Sequence, residues 1–189
     1  MTVRNFGEIA FTQGVKTLQE EAGSRASYAR MEDAPAPAGL GPRETTFIRA
    51  RDSFYMASVS ETGWPYVQHR GGPAGFLKVL DATTIGFADF RGNKQYVSTG
   101  NLLADDRVSL ILVDYPNRMR LKILGHARIA GPDAPAVLEM LEVPDYRARV
   151  ERGFLIDIAA VDWNCPQHIT PRYTVAEIEA VAGTGREDS

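Results

Sequence analysis

Between residues 120 and 129 the chain alternates with a period of two. Leu121, Ile123, Ala127 and Ile129 fall on one side of an extended backbone, and Arg120, Lys122, His126 and Arg128 fall on the other. That period predicts a half-buried strand with a polar or functional second face. Shorter β-rich runs cover Phe54–Ser60, Tyr66–Arg70, Gly75–Asp81, Thr84–Phe90 and Val108–Asp114. Turn signals such as Glu61-Thr62-Gly63 and Pro116-Asn117 separate them, and Phe154–Trp163 supplies a further strand. Five or six antiparallel strands at this spacing suggest a small barrel or sandwich, and no βαβ alternation interrupts them. Helical spacing dominates elsewhere. Phe11, Val15, Leu18 and Ala22 form one apolar stripe that predicts a helix between Phe11 and Glu21, ended by Gly23 and Ser24. A Pro/Gly connector over 34–42 leads to Pro42, which opens a short helix through Arg51 with Phe47 and Ile48 inward. Asp133 is expected to cap a helix carrying Val137, Leu138 and Leu141. The pattern divides the chain into a helical extension (1–52), a strand-rich body (53–182) and a small polar tail (183–189), an α+β protein that is mainly β.

Composition narrows the function classes. At 189 residues the chain is long enough to bury a core without a metal or disulfide staple, and its single cysteine, Cys165, excludes an internal disulfide. Twenty-four acidic against 21 basic residues give a formal charge of −3, which does not supply the basic stripe a nucleic-acid partner would favour. The first residues lack the apolar core of a secretory leader, and no run approaches the length of a membrane span. The expectation is a cytoplasmic protein with no membrane and no nucleic-acid partner.

No dinucleotide fingerprint, P-loop, zincin motif or nucleophile elbow is present. Cys165 and His168 stand three apart, but two local ligands fall short of the three that catalytic zinc takes, so no metal site is expected. Three clusters remain. The first runs from Gln68 through His69, Arg70 and two glycines to Phe76, Leu77 and Lys78; its basic side chains suit a phosphate, or serve as solvated charges on a hairpin loop. The second, Asp89-Phe90-Arg91-Gly92-Asn93-Lys94-Gln95, lies where a strand ends and a helix or turn begins, a place that presents free N–H groups to an anion. The third, Asp162 to His168, packs rare residue types beside a strand end.

The ordered set Phe54-Tyr55-Met56-Ala57-Ser58, Gly63-Trp64-Pro65, Phe76-Leu77-Lys78, Gly92-Asn93-Lys94-Gln95, Arg107-Val108-Ser109-Leu110 and Arg120 to Ala127 resembles the pyridoxamine 5′-phosphate oxidase-like FMN-binding split barrels. Phe11-Thr12, Gly23-Ser24-Arg25, Tyr28 and Cys165 to Ile169 look like a less characterised flavin-nucleotide-binding branch. The resemblance implies a six-stranded antiparallel Greek-key split barrel and a homodimer with FMN at its interface. Lys78 matches the lysine of the family's Arg-x-x-Leu-Leu-Lys strand, Lys94 and Gln95 match its Gly-Ser-Arg-Lys turn, and Arg120 matches a glutamine near the flavin ring. The implied cofactor-binding set is His69, Arg70, Phe76, Leu77, Lys78, Asp89, Asn93, Lys94, Gln95, Arg120, Gln167 and His168. Two departures stand out. Pro73 occupies the place of the family's phosphate arginine, with Arg70 as a substitute, and the oxidases' closing Trp-Arg-x-x-Pro motif is absent.

A cation at the Arg120 position would stabilise the reduced ring, whose negative charge gathers near N1 and the C2 carbonyl. The implied function is an FMN-dependent oxidoreductase acting on a small substrate or electron donor. The alternatives are a flavin storage, sensing or carrier module without turnover and, by analogy of fold alone, a haem-handling protein.

Overall fold

Asn5 ties the start of the chain to residues 26 and 29 positions later. Its side-chain amide donates to the carbonyls of Met31 (2.6 Å) and Ala34 (2.9 Å). The computed structural model describes residues 2–184. Helices α1 (Phe6–Ala10), α2 (Gln13–Glu21) and α3 (Arg25–Glu32) cluster around this tie. Phe11 meets Tyr28 edge to face at 5.3 Å, and Glu32 gathers Lys16 and Arg25. The stripe expected on α2 is therefore only partly used. Leu18 is 65% exposed, because the contact with α3 is made through Phe11 and the buried side chain of Gln19. Gly23, at φ +68°, ends the helix where expected, and the chain then enters α3, which the pattern did not predict.

Helix α4 (Pro42–Arg49) opens on proline, and the Gly41 amide donates to Glu44 Oε2 at 3.0 Å. It buries Phe47 and Ile48 as predicted. Seven antiparallel strands follow rather than six: β1 (Ser53–Val59), β2 (Pro65–Gly71), β3 (Lys78–Val79), β4 (Thr84–Phe90), β5 (Arg107–Asp114), β6 (Met119–Ala130) and β7 (Val150–Asn164). The run expected over Gly75–Asp81 pairs at only two residues. Gly75 turns at φ +81°, and Phe76 and Leu77 are fully buried instead of laddered. The sheet order is β2-β1-β5-β6-β7-β4-β3. The predicted faces of β6 hold, with Leu121, Ile123 and Ala127 buried.

The core is an aromatic stack. Phe54 on β1 meets Phe76 at 5.6 Å and Phe87 at 5.2 Å, and Phe87 stacks on Phe154 at 5.0 Å. Helix α5 (Val97–Ala104) leaves the end of β4 and sends Asn101 to Ser58 (2.9 Å) and Ser98 to Gln68 (2.8 Å). It lies against the core-facing side of β1 and β2.

Helix α6 (Pro135–Leu141) starts after Ala134 with no side-chain cap, so Asp133 does not cap it and Pro135 supplies the start. Its end is fixed by shape. Leu141 enters a gap made by Gly86 and Gly153, where an added Cβ would stand 2.8 Å and 2.6 Å from its methyl groups. A last helix, α7 (Val175–Thr184), follows an extended segment. The polar tail expected over 183–189 lies, from residue 185 on, outside the described residues. Leu141 is fully buried, so Leu141→Ala should cost about 2–5 kcal/mol of stability, read as a lowered urea midpoint at unchanged slope.

Candidate functional site

The sheet curls until its two ends meet through side chains. Arg70, opposite Phe54 on β2, reaches inward, and its Nη1 donates to Asp89 Oδ1 on β4 at 2.7 Å. Its guanidinium lies 5.1 Å and 5.5 Å from the Phe154 and Phe87 rings. The second oxygen of Asp89 meets Arg152 Nε on β7 at 3.3 Å. Burial shifts both partners against their charged forms: it pushes the Asp89 carboxyl up despite Arg70 and Arg152, and it pushes the Arg70 guanidinium down despite Asp89. Such a pair fixes geometry more than it adds stability. Among the described residues no ladder joins β2 to β3 or β4, so this ion pair spans the split.

Arg152 also holds the loop beyond β4. Its guanidinium lies 4.6 Å over the Tyr96 ring, while Glu151 accepts from Arg152 Nη2 (3.1 Å) and from the Tyr96 hydroxyl (3.3 Å). Lys94 and Tyr96 both stand in the left-handed region, at φ +61° and +54°. Two such non-glycine residues within three positions are strained, and strain of this kind gathers at ligand sites. Asn93 Oδ1 accepts from the Gln95 amide at 3.2 Å, and no side chain caps α5 behind Tyr96. The loop therefore presents Lys94 and the first turn of α5 to a narrow cleft of about 60 Å³ that Gln68, Arg70 and Asp89 also line. A neighbouring cavity of about 160 Å³ holds His69, Arg70, Phe76 and Asp89.

A second region lies on the outer face of the sheet. Tyr55, Ile111, Val113 and Arg120 line a cavity of about 320 Å³ with Tyr115, His168, Ile169, Thr170 and Arg172. Arg120 Nη2 donates to the Cys165 carbonyl at 2.9 Å, while among the described residues its buried Nε has no partner. Tyr55 meets His69 edge to face at 5.5 Å. A more apolar cavity of about 540 Å³ lies farther along β5 and β6, walled by Arg4 and Ile9.

A family model for pyridoxamine 5′-phosphate oxidase matches residues 40–165, well over half of the chain. The chain belongs to that family. Two solved structures share its fold. HupZ of Group A Streptococcus is 14% identical, with a TM-score of 0.52, covering 71% of this chain and 99% of that one. A putative pyridoxamine 5′-phosphate oxidase from Lactobacillus delbrueckii is 19% identical, with a TM-score of 0.51, covering 66% of this chain and 93% of that one. No curated protein matches the chain.

Seen as a member of the pyridoxamine 5′-phosphate oxidase family, the chain divides its expected site residues into groups. Arg70, Asp89, Asn93, Lys94 and Gln95 come together around the cleft, and Arg120 and His168 share the outer cavity. Arg70 is bound to Asp89, so neither residue is a free surface charge. Phe76 and Leu77 belong to the core, where their side chains are spent on packing. Lys78 is half-buried on β3 opposite Gly86, and Gln167 is exposed outside the outer cavity's lining. Tyr55, Tyr115 and Arg172 line that cavity without having been singled out from the sequence. Tyr55 lay within the quoted motif, whereas nothing in the local pattern marks Arg172. Among the described residues no three His, Cys, Asp or Glu side chains gather as a metal site, and no helix is long and apolar enough to cross a membrane.

Removing one half of the split's ion pair should be far worse than removing both. Asp89→Leu strands the buried Arg70 guanidinium and should cost about 3–5 kcal/mol, whereas Arg70→Met/Asp89→Leu should recover most of that loss. Urea midpoints of the two variants check this.

Proposed function

We propose that the chain binds FMN at a site completed by a second copy and acts as an FMN-dependent oxidoreductase on a small substrate. One observation carries the reading: the two groups of polar residues line different cavities of a single chain, one suited to a phosphate and one to the edge of a ring. The phosphate group has Lys94 in a strained loop and the uncapped start of α5. A helix start and an exposed cation together suit a phosphate dianion. The ring group has Arg120, which lines the outer cavity with the apolar Ile111 and Val113 beside it. The guanidinium's terminal nitrogens would suit a flavin's polar rim.

A flavin supplies hydride and electron chemistry when bound, and the protein's residues supply placement and charge. Arg120 would hold negative charge at the ring edge. Lys94, Asn93 and Gln95 would anchor the phosphate, and His168 would offer a ring nitrogen for hydrogen bonding at the rim. Arg70 and Asp89 would brace the loop from below rather than contact the phosphate.

The outer face offers a surface for the second copy. On the β1–β2 hairpin Trp64 is 75% exposed, Val67 61% and Tyr55 41%. Three large apolar side chains on one hairpin are poorly placed in water, and a two-fold dimer is the commonest way to cover such a face.

Purified protein should carry FMN, and riboflavin should bind much more weakly because it lacks the phosphate. Lys94→Gly should weaken FMN binding about tenfold or more, through the loss of a charge-assisted contact of about 1.5–3 kcal/mol. The same change relieves a left-handed backbone that costs about 1–3 kcal/mol, so the melting temperature should not fall. Equal affinity for FMN and riboflavin would sink the assignment. Light scattering should give a dimer; a monomer that keeps one flavin per chain would contradict the shared site. NAD(P)H consumption by the loaded protein separates an oxidoreductase from a carrier.

A further inference from the structure

We infer that the exposed edge formed by the loop 91–96 and the segment 145–149 docks a nucleoside diphosphate moiety. Arg91, Arg147 and Arg149 meet its phosphates, and the rings of Tyr96 and Tyr146 lie beside its base. Which molecule brings that moiety rests on the flavin reading above; the docking surface is read from this chain's own residues.

The two segments form one surface. The Arg91 amide donates to the Arg149 carbonyl at 2.9 Å, Phe90 pairs with Val150, and the Phe90 ring meets Tyr146 edge to face at 4.9 Å. The Tyr96 hydroxyl donates to Glu151 at 3.3 Å, which fastens the far end of the loop to the same strand. Charge on this edge opposes that of the whole molecule. The chain carries a formal −3, yet the two segments hold Arg91, Lys94, Arg147 and Arg149 against one carboxylate, Asp145. All four cations are exposed. Among the described residues Lys94, Arg147 and Arg149 have no carboxylate oxygen within 4.0 Å, and Arg91 has only Glu151, at 3.8 Å. A positive patch of this kind on an acidic protein draws a polyanion.

The edge continues outward from the cleft given above to the flavin phosphate. That cleft is narrow, about 60 Å³, and Lys94 lines it, so a longer anion must extend beyond it. Beside Arg91 the way is open, because a Cβ added at Gly92 would meet nothing within 4 Å. Each of the three guanidiniums beyond Lys94 presents a planar fork of donors that matches phosphate oxygens.

The aromatic rings favour a nucleotide over an acidic peptide or inorganic phosphate. Tyr96 and Tyr146 are each 43% exposed. Both are held from the protein side, Tyr96 by the Arg152 guanidinium at 4.6 Å and Tyr146 by Phe90. A ring that is fixed yet solvated loses little freedom when a base stacks on it, and such stacking accepts any base. The moiety has two sources: a flavin carried as its adenine dinucleotide, or a nicotinamide dinucleotide that donates electrons to FMN. The test separates them.

Calorimetric titration of the FMN-loaded full-length protein with ADP, adenosine and pyrophosphate tests the inference. ADP should bind at least tenfold more tightly than adenosine, and more tightly than pyrophosphate. Arg147→Ser/Arg149→Ser should weaken ADP binding about tenfold, and Tyr146→Ser should weaken ADP while leaving pyrophosphate unchanged. FMN affinity should change less than twofold in both variants. FAD that binds tenfold more tightly than FMN, with the advantage lost in the double arginine variant, names the flavin as the source. Equal FAD and FMN affinities, with NADH displacing ADP from the FMN-loaded protein, name the electron donor. Equal binding of ADP and adenosine, or an unchanged ADP affinity in Arg147→Ser/Arg149→Ser, overturns the inference. So does ADP binding that FMN abolishes, which would put ADP in the Lys94 cleft. A protein that takes up no flavin but binds ADP through these arginines supports the docking surface and overturns the flavin reading. FMN uptake without selectivity for ADP does the reverse.

Discussion

The split between β2 and β4 is the constraint on which the rest depends. A seven-stranded sheet that curls but does not close by a ladder leaves two edges in need of partners. Here the gap is bridged by the buried pair of Arg70 and Asp89, with Arg152 behind it and two stacked phenylalanines beneath. Hydrophobic burial alone would let the edges slide, since it has no direction. A buried ion pair tolerates little displacement, so it fixes β2 in position against β4 even though desolvation opposes both charges.

The loop that presents Lys94 inherits its position from the same network. Arg152 touches Asp89, Glu151 and Tyr96, and its Nη1 lies 3.4 Å from Thr99 Oγ1 on α5. The fold's weakest seam and its candidate phosphate cradle are therefore one structure. The outer cavity, formed by the strand faces and the segment 168–172, is held by other contacts, the Arg120–Cys165 hydrogen bond and the buried Ile169. The two halves of the proposed site line different cavities of a single chain, and in the proposed reading a second copy joins them.

Local periodicity revealed most of the strands, because an alternating run such as Arg120 to Ile129 needs nothing outside itself to declare its faces. It also gave α4, whose Pro42, Glu44 and buried Phe47-Ile48 are all local signals. The helix at Val97 is anticipated only as a helix or turn after the strand, since it begins behind a left-handed tyrosine with no capping side chain. The reach of Gly75–Asp81 was overestimated because the burial of Phe76 and Leu77 is a tertiary fact that reads locally as strand. The site was legible in the same uneven way. Lys94 and Gln95 could be picked out by resemblance, but that Arg70 is matched to a carboxylate nineteen residues away depends on how the sheet curls. Arg172 owes its place to the return of the chain across β5, which no short motif encodes.

The two tryptophans occupy opposite settings. Trp163 is wedged between the Phe47 ring at 4.9 Å and the Arg43 guanidinium at 4.0 Å, and its indole N–H donates to Glu44 at 2.6 Å. Trp64 stands in the open on the β1–β2 turn. The chain therefore carries two optical reporters that need no labelling. The emission of Trp163 follows whether α4 stays seated on β7, and the emission of Trp64 follows whether anything covers the hairpin, so folding and association can be watched separately in one spectrum.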